Sequence, residues 1–239
     1  MTRLAVDLSN YQSQFSLGDA RTLKANGVSA VIIGRQARNR AYEAQQAAAA
    51  LDAGLTIIGE YWISLGGVWP DPLPESRFIA IDVEPGSEFT TEADIDNALA
   101  QVATTGRTPV IYSSKWAWGA LGLATAKYAE LTLWNANYDG RADGFALPSP
   151  FGGWTTCAID QYTDKGALGL TYPVDVNAIE DGFWARCAPQ QVNDPDHEDG
   201  FDTGADRLTY EAILREVVIG HARAEGDPQV LHDIIDGRR

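Results

Sequence analysis

The stretch Phe78-Ile79-Ala80-Ile81-Asp82-Val83-Glu84-Pro85 is an apolar run that ends in two carboxylates. Read as a strand, it sets Asp82 and Glu84 on the same face, because alternate strand residues share a side and lie roughly 6.5–7 Å apart at Cα. Glycoside chemistry uses carboxyl pairs at this range: about 5–5.5 Å in retaining enzymes and about 6.5–9.5 Å in inverting ones. Flexible side chains let this pair reach either, so spacing alone does not choose a mechanism. Taken by itself, an Asp-x-Glu is also what an ordinary acidic strand end offers to a salt bridge or a helix cap.

Further short apolar runs flank this one at Leu4–Leu8, Ala30–Gly34, Thr56–Ile63, Pro109–Tyr112, Leu131–Ala136, Cys157–Gln161 and Val174–Val176, eight in all with Phe78–Val83. Eight is the count for a closed barrel, and near-continuous apolar character fits strands covered on both faces, as in a parallel α/β barrel. Leu17–Asn26 and Ala41–Ala53 read as helices, the second closed by Gly54, and Thr91–Thr105 as a third, capped by Thr90 or Thr91 and ending near Gly106. Asp139–Trp154, with its Gly and Pro, reads as loop. The expected fold is α/β: an irregular TIM-like (β/α) barrel whose helices are reduced in the second half.

Such a barrel carries its chemistry at the C-terminal ends of its strands. Those ends hold Asp7, Arg35 and Gln36, Tyr61 and Trp62, Asp82 and Glu84, Tyr112 and Ser113, Asn135 and Asn137, Gln161 and Tyr162, and Asp175 and Asn177. The first and eighth strands are neighbours in a closed barrel, so Asp7 and Asp175 would face Asp82 and Glu84 across a cleft. Like charges crowded there raise at least one pKa, which keeps an acid protonated near neutral pH. Tyr61, Trp62, Tyr112 and Tyr162 offer flat apolar faces beside the acids, suited to sugar rings.

Composition narrows the chemistry. The three histidines, His197, His221 and His232, all fall in the last fifty residues, which removes His-ligated zinc and any His-based nucleophilic site from the barrel. Cys157 and Cys187 are the only thiols, too few for a Cys metal cluster; they either pair or are buried and inert. Nothing here requires a cofactor or a metal. A formal net charge of -15 argues against nucleic acid and anionic membrane as partners, which need basic patches. No apolar run approaches the ~20 residues of a membrane span. Met1 to Asp7 passes into the first strand without the longer apolar stretch of a secretion signal.

Several of these segments carry a family resemblance. Val6-Asp7-Leu8-Ser9-Asn10-Tyr11-Gln12 resembles the opening of glycoside hydrolase family 25, the Chalaropsis-type lysozymes. Ile81-Asp82-Val83-Glu84 resembles that family's Asp-x-Glu strand, and Pro109-Val110-Ile111-Tyr112-Ser113-Ser114 its fifth strand. Leu133-Trp134-Asn135-Ala136-Asn137-Tyr138 resembles its Leu-Trp-x-Ala-x-Tyr strand, and Gln161-Tyr162 with Val174-Asp175-Val176-Asn177 its closing elements. The matches arrive in family order across about residues 3–185.

The resemblance implies cleavage of the β-1,4 bond between N-acetylmuramic acid and N-acetylglucosamine in peptidoglycan. It implies Glu84 as general acid, Asp82 as the carboxylate that orients the substrate's 2-acetamido group, Asp7 and Asp175 as flanking acids, and Tyr112 beside the reacting sugar. Tyr61, Trp62, Asn137, Gln161, Tyr162 and Asn177 are the further substrate-binding candidates. This chain departs from the pattern at three places. The third strand is Gly59-Glu60-Tyr61-Trp62-Ile63 where Tyr-His-Phe is usual, Asp160 precedes Gln161 where Trp is usual, and Gly34-Arg35-Gln36-Ala37-Arg38 follows the second strand. The expectation is that sugar-facing walls differ accordingly. An alternative is a barrel kept as a structural or glycan-binding component of a phage particle.

The expected domain is the barrel over 1–189, followed by an acidic Asp-, Gly- and Pro-rich linker over 190–205 and a helical tail over 206–239. In the tail, Leu208–Ala224 has helical apolar spacing, and a second helix starts at Asp227 with Pro228 in its first turn. Those faces need a partner: the barrel itself, a second copy, an assembly or the wall. With the missing signal, the expectation is a phage-encoded protein reaching the wall after release, or a virion component.

Overall fold

In a computed structural model of the 239-residue chain, residues 2–36, 40–142 and 144–187 are described. The expected linker and tail helices lie outside them. All eight apolar runs are strands: β1 Arg3–Leu8, β2 Val28–Arg35, β3 Thr56–Trp62, β4 Phe78–Asp82, β5 Thr108–Ser113, β6 Thr132–Ala136, β9 Ile159–Gly166 and β10 Val174–Ile179. They close a barrel in the order β1-β10-β9-β6-β5-β4-β3-β2.

The expectation of an all-parallel barrel is corrected at β10, which runs antiparallel to both β1 and β9. A parallel return needs a crossover of about a dozen residues or more. Only residues 167–173 separate β9 from β10, so the chain turns straight back. Asp175 therefore reaches the mouth from the beginning of its strand, opposite Asp7 at the end of β1, and Asn177 lies a layer deeper.

The segment expected to be loop over Asp139–Trp154 instead contains β7 Ala146–Phe151, which pairs with β8 Trp154–Thr156 as a two-stranded sheet outside the barrel. Helices α1 Leu17–Ala25, α2 Arg40–Asp52 and α3 Glu92–Thr104 match the expected ones. Ser16 and Thr91 cap α1 and α3 in reciprocal boxes with Asp19 and Asp94. Gly54, at φ +73, ends α2: its N–H donates to Leu51 and that of Leu55 to Ala50, the paired bonds of a Schellman motif. Two short helices were not expected, α4 Lys115–Ala120 and α5 Asp181–Cys187.

Strand alternation divides the core. On β4, Ile79 and Ile81, with Val83 beyond, pack outward against Ile95, Ala98 and Val102 of α3. Phe78 and Ala80 face the barrel interior with Ala5, Ala30, Val110 and Trp134, and Phe183 and Cys187 of α5 join the same cluster. Gly59 makes room for this filling, since a Cβ there would stand 2.4 Å from the Phe78 ring. Cys157 and Cys187 are both free and buried, as one of the two sequence readings had them. Among the described residues no helix is long and apolar enough to cross a membrane.

Candidate active site

Asp82 ends β4 pointing into the barrel, and Glu84 follows two residues later on the same side. The backbone between them is fixed at Val83, whose N–H donates to the Tyr112 carbonyl at 2.9 Å and whose carbonyl accepts from the Ser113 hydroxyl at 2.8 Å. Pro85 then restricts the chain leaving Glu84. Asp7, Asp82, Glu84 and Asp175 line one cavity of about 170 Å³, together with Tyr61, Tyr112 and Gln161. Gly34 leaves space for Tyr61 there: a Cβ would lie 2.6 Å from its ring.

A hydrogen-bond network supports the acids from below. Asp7 Oδ2 accepts from Gln161 Nε2 at 2.9 Å and from Asn177 Nδ2 at 2.8 Å. Gln161 Oε1 in turn accepts from the Tyr112 hydroxyl at 2.8 Å and the Tyr138 hydroxyl at 3.0 Å. Asn177 Oδ1 accepts from Trp134 Nε1 at 2.8 Å. These partners fix both amides in one orientation.

All four carboxyls hold protons more tightly than free carboxylic acids. Burial raises Asp7 well above its ordinary value, and Asp175 adds to it. Burial does the same to Asp82, followed by Glu84 and then Asp7. Glu84 is raised by burial and then by Asp175. Asp175 is pushed up to about 6, by burial first and Asp164 second, while its hydrogen bond from Asp7 works the other way. The mouth thus retains protons at pH values where exposed carboxyls have lost them. Asp82 Oδ1 is buried without a hydrogen-bond partner, an acceptor aimed at no protein donor.

The structure brings Asp7, Asp82, Glu84, Asp175, Tyr61, Tyr112 and Gln161 to this cavity, with Asn177 behind Asp7. Asn137 lines a neighbouring cleft instead and donates to Asp139 at 3.0 Å. Two expected sugar platforms face the other way, because each follows an inward residue by one. Trp62 packs outward in the α3-side core and donates to Glu60 Oε1 at 3.0 Å. Tyr162 packs outward against the α1-side core.

Alternation divides the departures: Gln36, Tyr61 and Ile63 line the cavity, whereas Glu60 and Asp160 do not. Glu60 is fully buried behind the wall, paired with Arg35 at 2.9 Å and accepting from Leu73 N–H at 3.0 Å. Arg35 also pairs with Glu43 at 2.8 Å, and Glu43 accepts the Gln36 N–H at 3.1 Å, holding Gln36 at the rim of the cavity. Asp160 is buried beside Asn135, outside the interior ring.

Sequence reading missed Tyr138, whose hydroxyl binds Gln161 and which lines the mouth. The signal was available: Trp134, Ala136 and Tyr138 follow the period of two on β6 and just beyond it. It also missed a cleft of about 850 Å³ that starts at Glu84 and runs between α4 and β7.

Comparison with known proteins follows this geometry. The family model described as "Glycosyl hydrolases family 25" matches residues 70–169, which include Asp82, Glu84, Tyr112 and Gln161 but neither Asp7 nor Asp175. Lysozyme-like protein 5 of Caenorhabditis elegans is 31% identical over 104 residues, 41% of this chain and 48% of that protein. Probable GH family 25 lysozyme 2 of Dictyostelium discoideum is 31% identical over 90 residues, 37% of this chain and 42% of that protein. The matched segment thus spans about half the length of these relatives or less. In fold, the chain is similar to the Clostridium perfringens spore cortex lytic enzyme SleM, with TM-score 0.55 and 19% identity over 74% of this chain and 67% of that one. It is also similar to GHIP, a glycosyl hydrolase 25 of Streptococcus pneumoniae, with TM-score 0.54 and 18% identity over 77% of this chain and 92% of that one.

Proposed function

We propose that the chain is a member of glycosyl hydrolases family 25, whose model matches residues 70–169, and that it is a peptidoglycan hydrolase, a lysozyme that cleaves the β-1,4 bond from N-acetylmuramic acid to N-acetylglucosamine. The observation that carries this reading is the convergence of four proton-retaining carboxyls on one cavity beside the phenols of Tyr61 and Tyr112.

Glu84 is the general acid. It is only partly buried, opens onto both the mouth and the long cleft, and holds its proton above the usual carboxyl range, as an acid that protonates a leaving oxygen must. Asp82 receives the 2-acetamido N–H. Its partnerless Oδ1 lacks the donor that this N–H supplies, and such a bond favours the ionised carboxylate that burial otherwise disfavours. With Asp82 charged, the neighbouring acetamido oxygen attacks the anomeric carbon while the glycosidic oxygen takes the Glu84 proton and departs. Water then attacks the anomeric carbon, its proton passes to the Glu84 carboxylate, and the acetamide re-forms. One bond is hydrolysed and the anomeric configuration is retained. Asp7 and Asp175 hold negative charge and protons beneath the sugar, tuning the other pair.

The test is the identity of the new sugar terminus. Purified peptidoglycan digested with the protein, reduced with borohydride and hydrolysed should yield muramitol. Glucosaminitol instead would assign the opposite bond, and neither product would remove the activity.

A further inference from the structure

The cleft between α4 and β7 has a chemistry that the hydrolytic mouth does not need. One wall is α4, and the other is the β7–β8 hairpin. Trp118 of α4 fastens the two, with ring centroids 5.1 Å from Trp154 and 6.2 Å from Phe151. At the hairpin turn Gly152 sits at φ +55, and a Cβ there would meet the Trp154 ring at 2.6 Å, so the turn is closely fitted. Between these fixed walls Trp116 stands 72% exposed. Lys115 reaches across to β7, where its Nζ donates to the Ser149 hydroxyl at 2.9 Å. Glu84 closes the inner end, and Lys115 is the only cation among the lining residues. The volume of about 850 Å³ lies within the roughly 300–1,000 Å³ of small-ligand sites.

We propose that this cleft takes the glycan on the leaving-group side of the cut bond, with Trp116 stacking on a sugar and Lys115, steadied by Ser149, binding a carboxylate carried by the strand. The inference rests on Glu84 being the acid that protonates the leaving oxygen, since that places the departing sugars along the cleft beginning at Glu84. The next muramyl residue in that direction carries the strand's anionic substituents. In a chain of net charge -15, a cation positioned across a sugar-sized cleft offsets the general repulsion of an anionic polymer. The carboxylate has two sources, the lactyl group itself or the peptide stem attached to it.

Three preparations of the same phosphate-free glycan distinguish them: stem-bearing strands, strands stripped of peptide so that lactyl carboxylates are free, and strands whose carboxyls are converted to methylamides. Binding to soluble fragments is measured in a Glu84→Gln background, where the ligand survives, and hydrolysis separately in the wild-type background. Lys115→Met should weaken binding about three- to fivefold, as an exposed ion pair supports, on one or both carboxylate-bearing strands but not on the methylamide. Lys115→Arg should restore it, and added salt should erase the difference. Trp116→Ala should weaken all three alike. In hydrolysis, Lys115→Met should raise KM with kcat unchanged. Equal effects of Lys115→Met on all three strands, or none on any, would overturn the proposal. Selective binding without any wild-type hydrolysis would instead uphold Lys115 and Trp116 as a glycan-binding site and reject the hydrolase reading together with the leaving-group placement.

Discussion

Asp7 and Asp175 are register partners on the antiparallel strands β1 and β10, and their carboxyls share a hydrogen bond at the mouth of the barrel. Two acids so placed hold a proton between them, and the stability of the fold becomes linked to pH. Asp175 titrates near 4 in an unfolded chain and at about 6 in the fold. A carboxyl raised in this way contributes favourably below its unfolded pKa and loses that contribution as pH rises through the folded value.

Asp175→Asn should therefore stabilise the protein above about pH 7, by roughly 1–3 kcal/mol or several degrees in Tm, and change little near pH 4. Melting curves of both proteins at the two pH values check this. An identical Tm difference at both would show that the pair does not hold the proton.

Asp82→Asn should separate stability from function. It removes a buried carboxyl whose Oδ1 has no protein partner, so the variant should melt no lower than wild type at neutral pH and by this reasoning somewhat higher. Hydrolysis should nearly vanish while binding of glycan fragments stays measurable. Wild-type turnover in this variant would remove Asp82 from the reaction.

Gln161→Met tests the network beneath the acids. The substitution keeps the length of the side chain but removes the donor to Asp7 and the acceptor shared by Tyr112 and Tyr138. The Gln161 bond lowers the Asp7 pKa, so its loss should move Asp7 further up. The pH–rate profile should shift alkaline, with kcat falling about tenfold or more and KM changing less. An unchanged profile would reduce Gln161 to a packing role.

The barrel was legible because its eight strands are short apolar runs, and the site because four carboxylates carried on or just beyond three of those runs meet at one end. What escaped was governed by polarity and by parity. The second half of β9, Thr163-Asp164-Lys165, is polar and half exposed, so an apolar-run criterion ended the strand at Gln161. That left apparent room for a crossover and hid the reversal of β10. The β7–β8 hairpin has few buried residues, Leu147 and Trp154 among them, and Pro148 and Pro150 in β7 argued against a strand, although Pro is tolerated at sheet edges. Trp62 and Tyr162 were grouped with Tyr61 and Gln161 by proximity in sequence, whereas a period of two places each pair on opposite faces. The same parity moves Glu60 and Asp160 behind the wall, where they leave the mouth's chemistry intact.

The most direct measurement compares wild type with Glu84→Gln in the release of reducing ends from purified peptidoglycan. Glutamine keeps the size and hydrogen-bonding capacity of the side chain but has no proton to give the leaving oxygen. General acid catalysis is worth about 10²–10⁴-fold, so release should fall by at least that range, with a melting temperature no lower than that of the wild type, since Glu84 is one of the raised carboxyls. Wild-type rates from Glu84→Gln, or no release from either protein, would contradict the account.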